Sequence, residues 1–291
     1  MNDLFSMTGY AKVQGQLAGK KIALEIRTLN SSKGLDISVK GNSFFRPLEY
    51  RLRQYAAEHL LRGKMDILLS FESTSEMIFN PALLRRHYAE LEKLADEVNA
   101  SKEGLLAAML RMPEISGEGT EELSEDDLKT MDEMMQEACK QVTHFRMKEG
   151  LVLQQDFLQL IHEIETRIPA ILAADVVRIK RIRERLRENL ELFIPLDKID
   201  ANRFEQEVLF YIEKLDIHEE ISRLQMHIGH FREVLEQAGA LKGKKLNFIA
   251  QELGREINTI GSKANDADMQ KKVVEMKDVL EKIKEQTNNT L

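Results

Sequence analysis

The run Gln251-Glu252-Leu253-Gly254-Arg255-Glu256-Ile257-Asn258-Thr259 offers chemistry beyond an ordinary charged surface. At about 100° per residue, Leu246, Ile249, Leu253, Ile257 and Ile260 form one apolar stripe of a helix, and Glu252, Arg255, Glu256, Thr259 and Lys263 share a polar flank. Gln251, Asn258 and Ser262 continue that flank. Two carboxylates one turn apart can share a hard divalent cation, and a guanidinium can hold two phosphate oxygens at once. Asn258 and Ser262 would orient substrate or water. The same residues also suit a solvated face on which Glu252 pairs with Arg255 at i, i+3.

Just upstream, Lys242-Gly243-Lys244-Lys245 places three lysines where a helix N-terminus already favours an anion, so a phosphate fits there. Lys263, Lys271 and Lys272 add positive charge towards the other end; ordinary solubility explains such lysines equally well. On the preceding helical stretch, Glu220, Arg223, His227 and His230 lie opposite the apolar positions Ile221, Leu224, Ile228 and Phe231. His227 is the candidate general acid or base, since imidazole titrates near neutrality, although helix histidines also serve surfaces and interfaces. Arg178 to Arg187 holds six basic residues and one acid, a track for a phosphate backbone or a partner for acidic faces of neighbouring helices. There is no Walker loop, Cys/His zinc spacing, Gly-x-Ser-x-Gly elbow or dinucleotide fingerprint, which disfavours those enzyme classes.

These residues need a scaffold, and its pattern changes along the chain. Runs at Lys21 to Leu29, Leu35 to Val39 and Met65 to Phe71 are β-compatible, with a helix between the last two opened by Pro47. From about Asn80 apolar residues recur every three or four positions. Leu128 to Leu192 reads as one or two long helices, Asn202 to Leu235 as another, then Lys245 to Ile260 and Met269 to Gln286, with Gly261 to Asp268 as the break. The expected class is α+β. A small N-terminal sheet domain with a helix spans 1–78, a helical middle region 79–200 contains an acidic loop at 114–127, and a helical C-terminal domain spans 201–291. That loop holds seven acids and no base, a composition that buries little.

The 291 residues and 43% hydrophobic content supply a sizeable core without staples. Cys139, the only cysteine, reads as a small buried hydrophobe, and with no signal-peptide pattern or membrane-length apolar run the expected compartment is the cytoplasm. A net charge of −7 gives no global attraction to nucleic acid, so any such contact must be local.

Ser6-Met7-Thr8-Gly9-Tyr10, Glu25-Ile26-Arg27-Thr28-Leu29-Asn30, Leu35-Asp36 and Arg62-Gly63-Lys64 resemble the start of the YicC/YloC family. The later match is stronger: Glu219-Glu220, Arg223-Leu224, His227, Phe231, Gly243-Lys244-Lys245-Leu246, Gln251-Glu252-Leu253, Arg255-Glu256-Ile257-Asn258-Thr259 and Ser262-Lys263-Ala264 resemble its signature block. The stretch from about Asn80 to Asp200 is similar only in helical character. The resemblance implies an RNA-cleaving enzyme that needs a divalent cation, Mn²⁺ before Mg²⁺, and a homo-oligomer, a hexamer, that encloses RNA. Placed on these motifs, Glu252 and Glu256 would hold the metal and Arg223, Arg255, Lys244, Lys245 and Lys263 the phosphates. His227, Glu252, Arg255 and Glu256 form the catalytic set, and Asn258 and Ser262 also face the RNA. The chain departs from the family's pattern at Asn30 to Asp36, one residue longer than usual, at Lys40-Gly41-Asn42, which lacks a proline, and at Asn247, where aspartate is more usual. The alternative is a non-catalytic RNA-binding or assembly protein whose polar helix faces form a subunit interface.

Overall fold

Alternating side chains build the first unit, residues 8–145, around one four-stranded sheet in the order β1-β2-β4-β3. The computed structural model describes residues 4–31, 34–60, 62–71, 81–109, 123–193, 200–239 and 241–291. Strands β1 (Gly9–Leu17) and β2 (Lys20–Leu29) form an antiparallel hairpin whose two turn residues, Ala18 and Gly19, both have positive φ, the geometry that matches strand twist. β2 also pairs antiparallel with β4 (Gly63–Phe71), and β3 (Leu35–Lys40) pairs parallel with β4. A parallel neighbour needs a crossover, supplied by a 3-10 turn at Ser43–Leu48 running into α1 (Glu49–His59).

Ile22, Leu24 and Ile26 of β2 face a core completed by Leu48, Leu52 and Ala56 and by Met131, Met134, Met135, Ala138 and Val142 from the first half of a long helix. β1 is absent from the sequence-level strand assignments because its inward positions are small. Gly15 is one of them: a Cβ there would lie 2.4 Å from the sulfur of Met134, so glycine makes room for that helix.

The described residues beyond β4 form helices: α2 (Pro81–Glu97), α3 (Leu105–Met109), α4 (Glu125–Glu165), α5 (Ile168–Glu191), α6 (Ala201–Leu215), α7 (His218–Glu236), α8 (Gly243–Ala264) and α9 (Ala267–Thr287). This is the expected α+β class. Of the acidic segment read as loop 114–127, residues 114–122 lie outside the described residues, while Glu125, Asp126 and Asp127 form the first turn of α4. Carboxylates suit that position because the N-terminal helix dipole is positive. Two further boundaries differ from the sequence reading. Asn202 to Leu235 is two helices, since Asp216 is extended (φ −61°, ψ 134°) and turns its carboxylate onto the amide of His218. Gly261 lies inside α8, not in a break: its missing side chain lets α9 approach, with a Cβ there falling 2.9 Å from Val273.

The second unit comprises residues 1–7 and 146–291. Residues 5–7 run beside residues 289–291, with Met7 donating to Asn289 and Leu291 donating to Phe5 at 2.8 and 2.9 Å. Arg146, buried, donates from Nη2 to the carbonyl of Met7 at 3.1 Å. No helix among the described residues is long and apolar enough to cross a membrane.

Candidate functional site

The expected stripes form. Ile221, Leu224, Ile228, Phe231 and Leu235 of α7 and Leu246, Ile249, Leu253, Ile257 and Ile260 of α8 are all buried in one core with α9. α9 is capped by Asp266, whose carboxylate accepts from Asp268 and Met269, and the chain leaves α8 through Asn265 in the left-handed region. With those stripes inward, the polar flank of α8 must run along the edge it shares with α7.

One contact fixes that edge. Lys263 Nζ donates to Glu220 Oε1 of α7 and to the carbonyl of Asp216, each at 2.8 Å. Glu252 and Glu256 lie within about 20° of Lys263 around the helix axis, so they share the flank. Glu256 is 8% exposed and has no hydrogen-bond or ion-pair partner among the described residues. Glu252 Oε1 lies 2.7 Å from the Arg255 guanidinium but out of line for a hydrogen bond, and it is buried; Glu220 Oε2 is likewise buried and unbonded. Carboxylate oxygens withdrawn from water without full compensation are costly, which separates this flank from a solvated face.

The other sequence-level candidates are spread along the same two helices. His227 is half-buried on α7 and its ring nitrogens have no partner among the described residues. Arg223 is exposed and pairs with Glu219 at 2.5 Å. Lys244 is exposed and unpaired among the described residues, and Lys245 donates to Gln237 at 3.2 Å. Asn258 is exposed, and Ser262 commits its hydroxyl proton to the carbonyl of Thr259 at 2.9 Å. At the start of α8 the amides of Lys242 and Gly243 both donate to the main-chain oxygen of Leu291, at 2.7 and 2.6 Å. Those two donors are therefore already occupied, and an anion there would meet the lysine side chains.

The basic run of α5 is mostly committed to protein partners. Arg178, 3% exposed, pairs with Asp175 and donates to the carbonyls of Lys263, Ala264 and Leu215 at 2.6, 3.0 and 2.9 Å. It satisfies the C-terminal carbonyls of α8 and α6, which helices otherwise leave orphaned. Arg181 pairs with Asp266, Arg183 with Glu205 and Arg187 with Glu191. Sequence reasoning assigned no role to Glu220 and read the whole run from Arg178 to Arg187 as a phosphate track or a partner for acidic faces, without separating Arg178 from its neighbours. The i, i+3 spacing of Asp175 and Arg178 was the available signal.

Among the described residues, no three His, Cys, Asp or Glu side chains converge to hold a metal ion. Two carboxylates do not make an all-protein cage, so any cation held by Glu252 and Glu256 would have to keep most of its water.

Comparison with known proteins covers nearly the whole chain. Residues 4–155 match the family model "Endoribonuclease YicC-like, N-terminal region" and residues 171–290 match "Endoribonuclease YicC-like, C-terminal". A "Probable endoribonuclease YicC" of Clostridioides difficile (strain 630) is 29% identical over 292 residues, covering 98% of both chains. One of the same name from Haemophilus influenzae (strain ATCC 51907 / DSM 11121 / KW20 / Rd) is 28% identical over 293 residues, covering 98% of this chain and 99% of its own.

Proposed function

The chain belongs to the YicC-like endoribonuclease family, and we propose that it cleaves RNA phosphodiester bonds along the flank shared by α7 and α8. The observation that carries this reading is the group of carboxylates at the α7–α8 edge: Glu252 Oε1 and Glu220 Oε2 are buried without a hydrogen bond, and Glu256, 8% exposed, has no partner among the described residues, all within the segment matched by the family's C-terminal model.

In this reading Glu252 and Glu256 would hold a divalent cation, Mn²⁺ or Mg²⁺, which would lower the pKa of bound water and offset charge on the phosphate. Arg255 and Lys263 face the same edge and stabilise the negative charge that grows on the phosphate oxygens in the transition state. Lys263 is held by Glu220 and the Asp216 carbonyl, so it is oriented before substrate arrives. His227, with both ring nitrogens open, takes a proton from the attacking water or returns one to the leaving oxygen. Lys244, Lys245 and Arg223 hold flanking phosphates, and Asn258 and the lone pairs of Ser262 contact the RNA. Assembly into a homo-oligomer, the hexamer implied by resemblance, belongs to the same proposal and is read out by light scattering.

The Glu252–Arg255 ion pair favours a second reading, a non-catalytic RNA-binding or assembly protein in which the flank is structural. Cleavage of a labelled structured RNA with Mn²⁺ or with EDTA, beside the double variant Glu252→Gln, Glu256→Gln, separates the two. Cutting that needs the cation and disappears in the folded variant is the expected result. Binding without cutting under every divalent ion would favour the second reading, and a fully active double variant would move the site elsewhere.

A further inference from the structure

One apolar side chain of α8 breaks its own pattern. Leu246, Ile249, Leu253, Ile257 and Ile260 are at most 2% exposed, whereas Phe248 is 61% exposed. A lone surface phenylalanine is unremarkable. This one stands on the ridge of α8 with Lys244 one turn before it, Lys245 three residues before it, and Gln251 and Arg255 following at i+3 and i+7. Lys244 has no partner among the described residues, and the Arg255 side chain is 71% exposed despite its contact with Glu252. Along the axis, four residues at about 1.5 Å each put Phe248 only about 6 Å from Glu252.

We propose that Phe248 is a stacking platform for an unpaired RNA base, with Lys244 and Arg255 holding the phosphates on either side. The proposal rests on the reading of RNA as substrate and names the class of RNA that the site prefers. An aromatic face flanked by cations suits a nucleotide that is both flat and anionic. Bases inside a duplex have no free face to offer, so the ridge selects single-stranded or looped segments over continuous A-form helix. Phe248 is then a positioning residue: it sets which phosphodiester lies beside Glu252 and takes no part in the chemistry.

The sequence contains no tryptophan, so Phe248→Trp gives the chain a single tryptophan, at this position, whose emission is excited apart from that of the tyrosines. Binding is measured by anisotropy in EDTA, using an unstructured oligoribonucleotide and the same strand annealed to its complement. The expected result is that the tryptophan variant retains wild-type affinity and its emission is quenched by the single strand but not by the duplex. Phe248→Ala should bind the single strand about tenfold more weakly with duplex binding unchanged. Wild-type affinity in Phe248→Ala, or equal quenching by both RNAs, overturns the proposal while leaving the RNA reading intact. If wild type binds neither RNA, both fail. If Phe248→Ala alters only the mass of the protein by light scattering, the ridge is a contact between copies and the stacking role is wrong.

Discussion

The two units bury different kinds of side chain. In residues 8–145, Thr28 is the one buried polar side chain among the described residues, and the core is made by sheet, α1 and α4 from apolar groups. In the unit containing residues 146–291, Arg146, Asp175, Arg178, Glu220, Lys242 and Glu256 are all buried. Burying an ionisable group costs several kcal/mol unless partners replace water, so its retention demands a reason. Arg178 and Lys242 have one: each donates to main-chain carbonyls, Lys242 to Leu235 at 2.8 Å, and so fixes where helices end. Glu256 and the second oxygen of Glu220 lack it, and the two kinds of burial should answer differently to substitution.

Removing Arg178 gives the largest expected effect. Arg178→Met leaves Asp175 buried without its partner and three carbonyls unsatisfied, and should cost about 3–5 kcal/mol in denaturant unfolding followed by circular dichroism. The counterpart in the sheet unit is Arg51, which pairs with Asp132 on the surface. Arg51→Met should leave the midpoint unchanged, because exposed pairs contribute little. Equal losses in the two variants would break the contrast.

Packing in the helical unit also distinguishes its glycines. Gly261→Ala would press a methyl against Val273, a β-branched side chain with little rotamer freedom. Overpacking of about 1–3 kcal/mol, less about 1 kcal/mol gained in helix propensity, leaves a net loss of roughly 1 kcal/mol by thermal unfolding. Gly229 of α7 faces no atom within 4 Å, so Gly229→Ala should stabilise by up to about 1 kcal/mol. A stabilising Gly261→Ala would show that α8 and α9 have room to adjust.

Glu256 gives the opposite sign from Arg178. With no partner to lose, Glu256→Gln removes a buried charge and should raise stability by about 1 kcal/mol while RNA cleavage falls, the trade-off expected where a site keeps an unfavourable group for its chemistry. Destabilisation by this variant would reveal a structural charge and weaken the enzyme reading.

Much of this was legible in sequence because it follows from periodicity. The apolar stripes of α7 and α8 placed Glu252, Glu256 and Lys263 on one flank, and three β-compatible runs located β2, β3 and β4. β1 escaped because Ala11, Val13 and Gly15 make a weak inward pattern, and glycine there answers to Met134, a residue more than a hundred positions away. Gly261 misled for the same reason. A glycine that admits a neighbouring helix looks in sequence like one that ends its own. Arg178 could not be told from Arg181 or Arg183 by composition; burial separates them, and burial depends on helices far along the chain.

The smallest expected effect belongs to Asp216 and His218, at the joint between α6 and α7. His218 Nδ1 lies 2.6 Å from Asp216 Oδ1; that hydrogen bond holds the imidazole above its ordinary value of 6.5 and the aspartate below its ordinary value of 3.8. The histidine's contribution is complete below 6.5 and fades as pH rises through its raised value. The aspartate's contribution is complete above 3.8 and fades as pH falls through its lowered value. The pair therefore stabilises most between those two ordinary values. Both side chains are more than half or half exposed, at 69% and 50%, so solvent screens the interaction and the gain is small. Following the His218 ring by NMR should show a midpoint above 6.5 that returns to it in Asp216→Asn. In that variant the carbonyl of residue 216 still accepts from Lys263, so RNA cleavage should survive. A loss of cleavage would mean that the carboxylate, and not only the main chain at this joint, holds Lys263 in place beside Glu220.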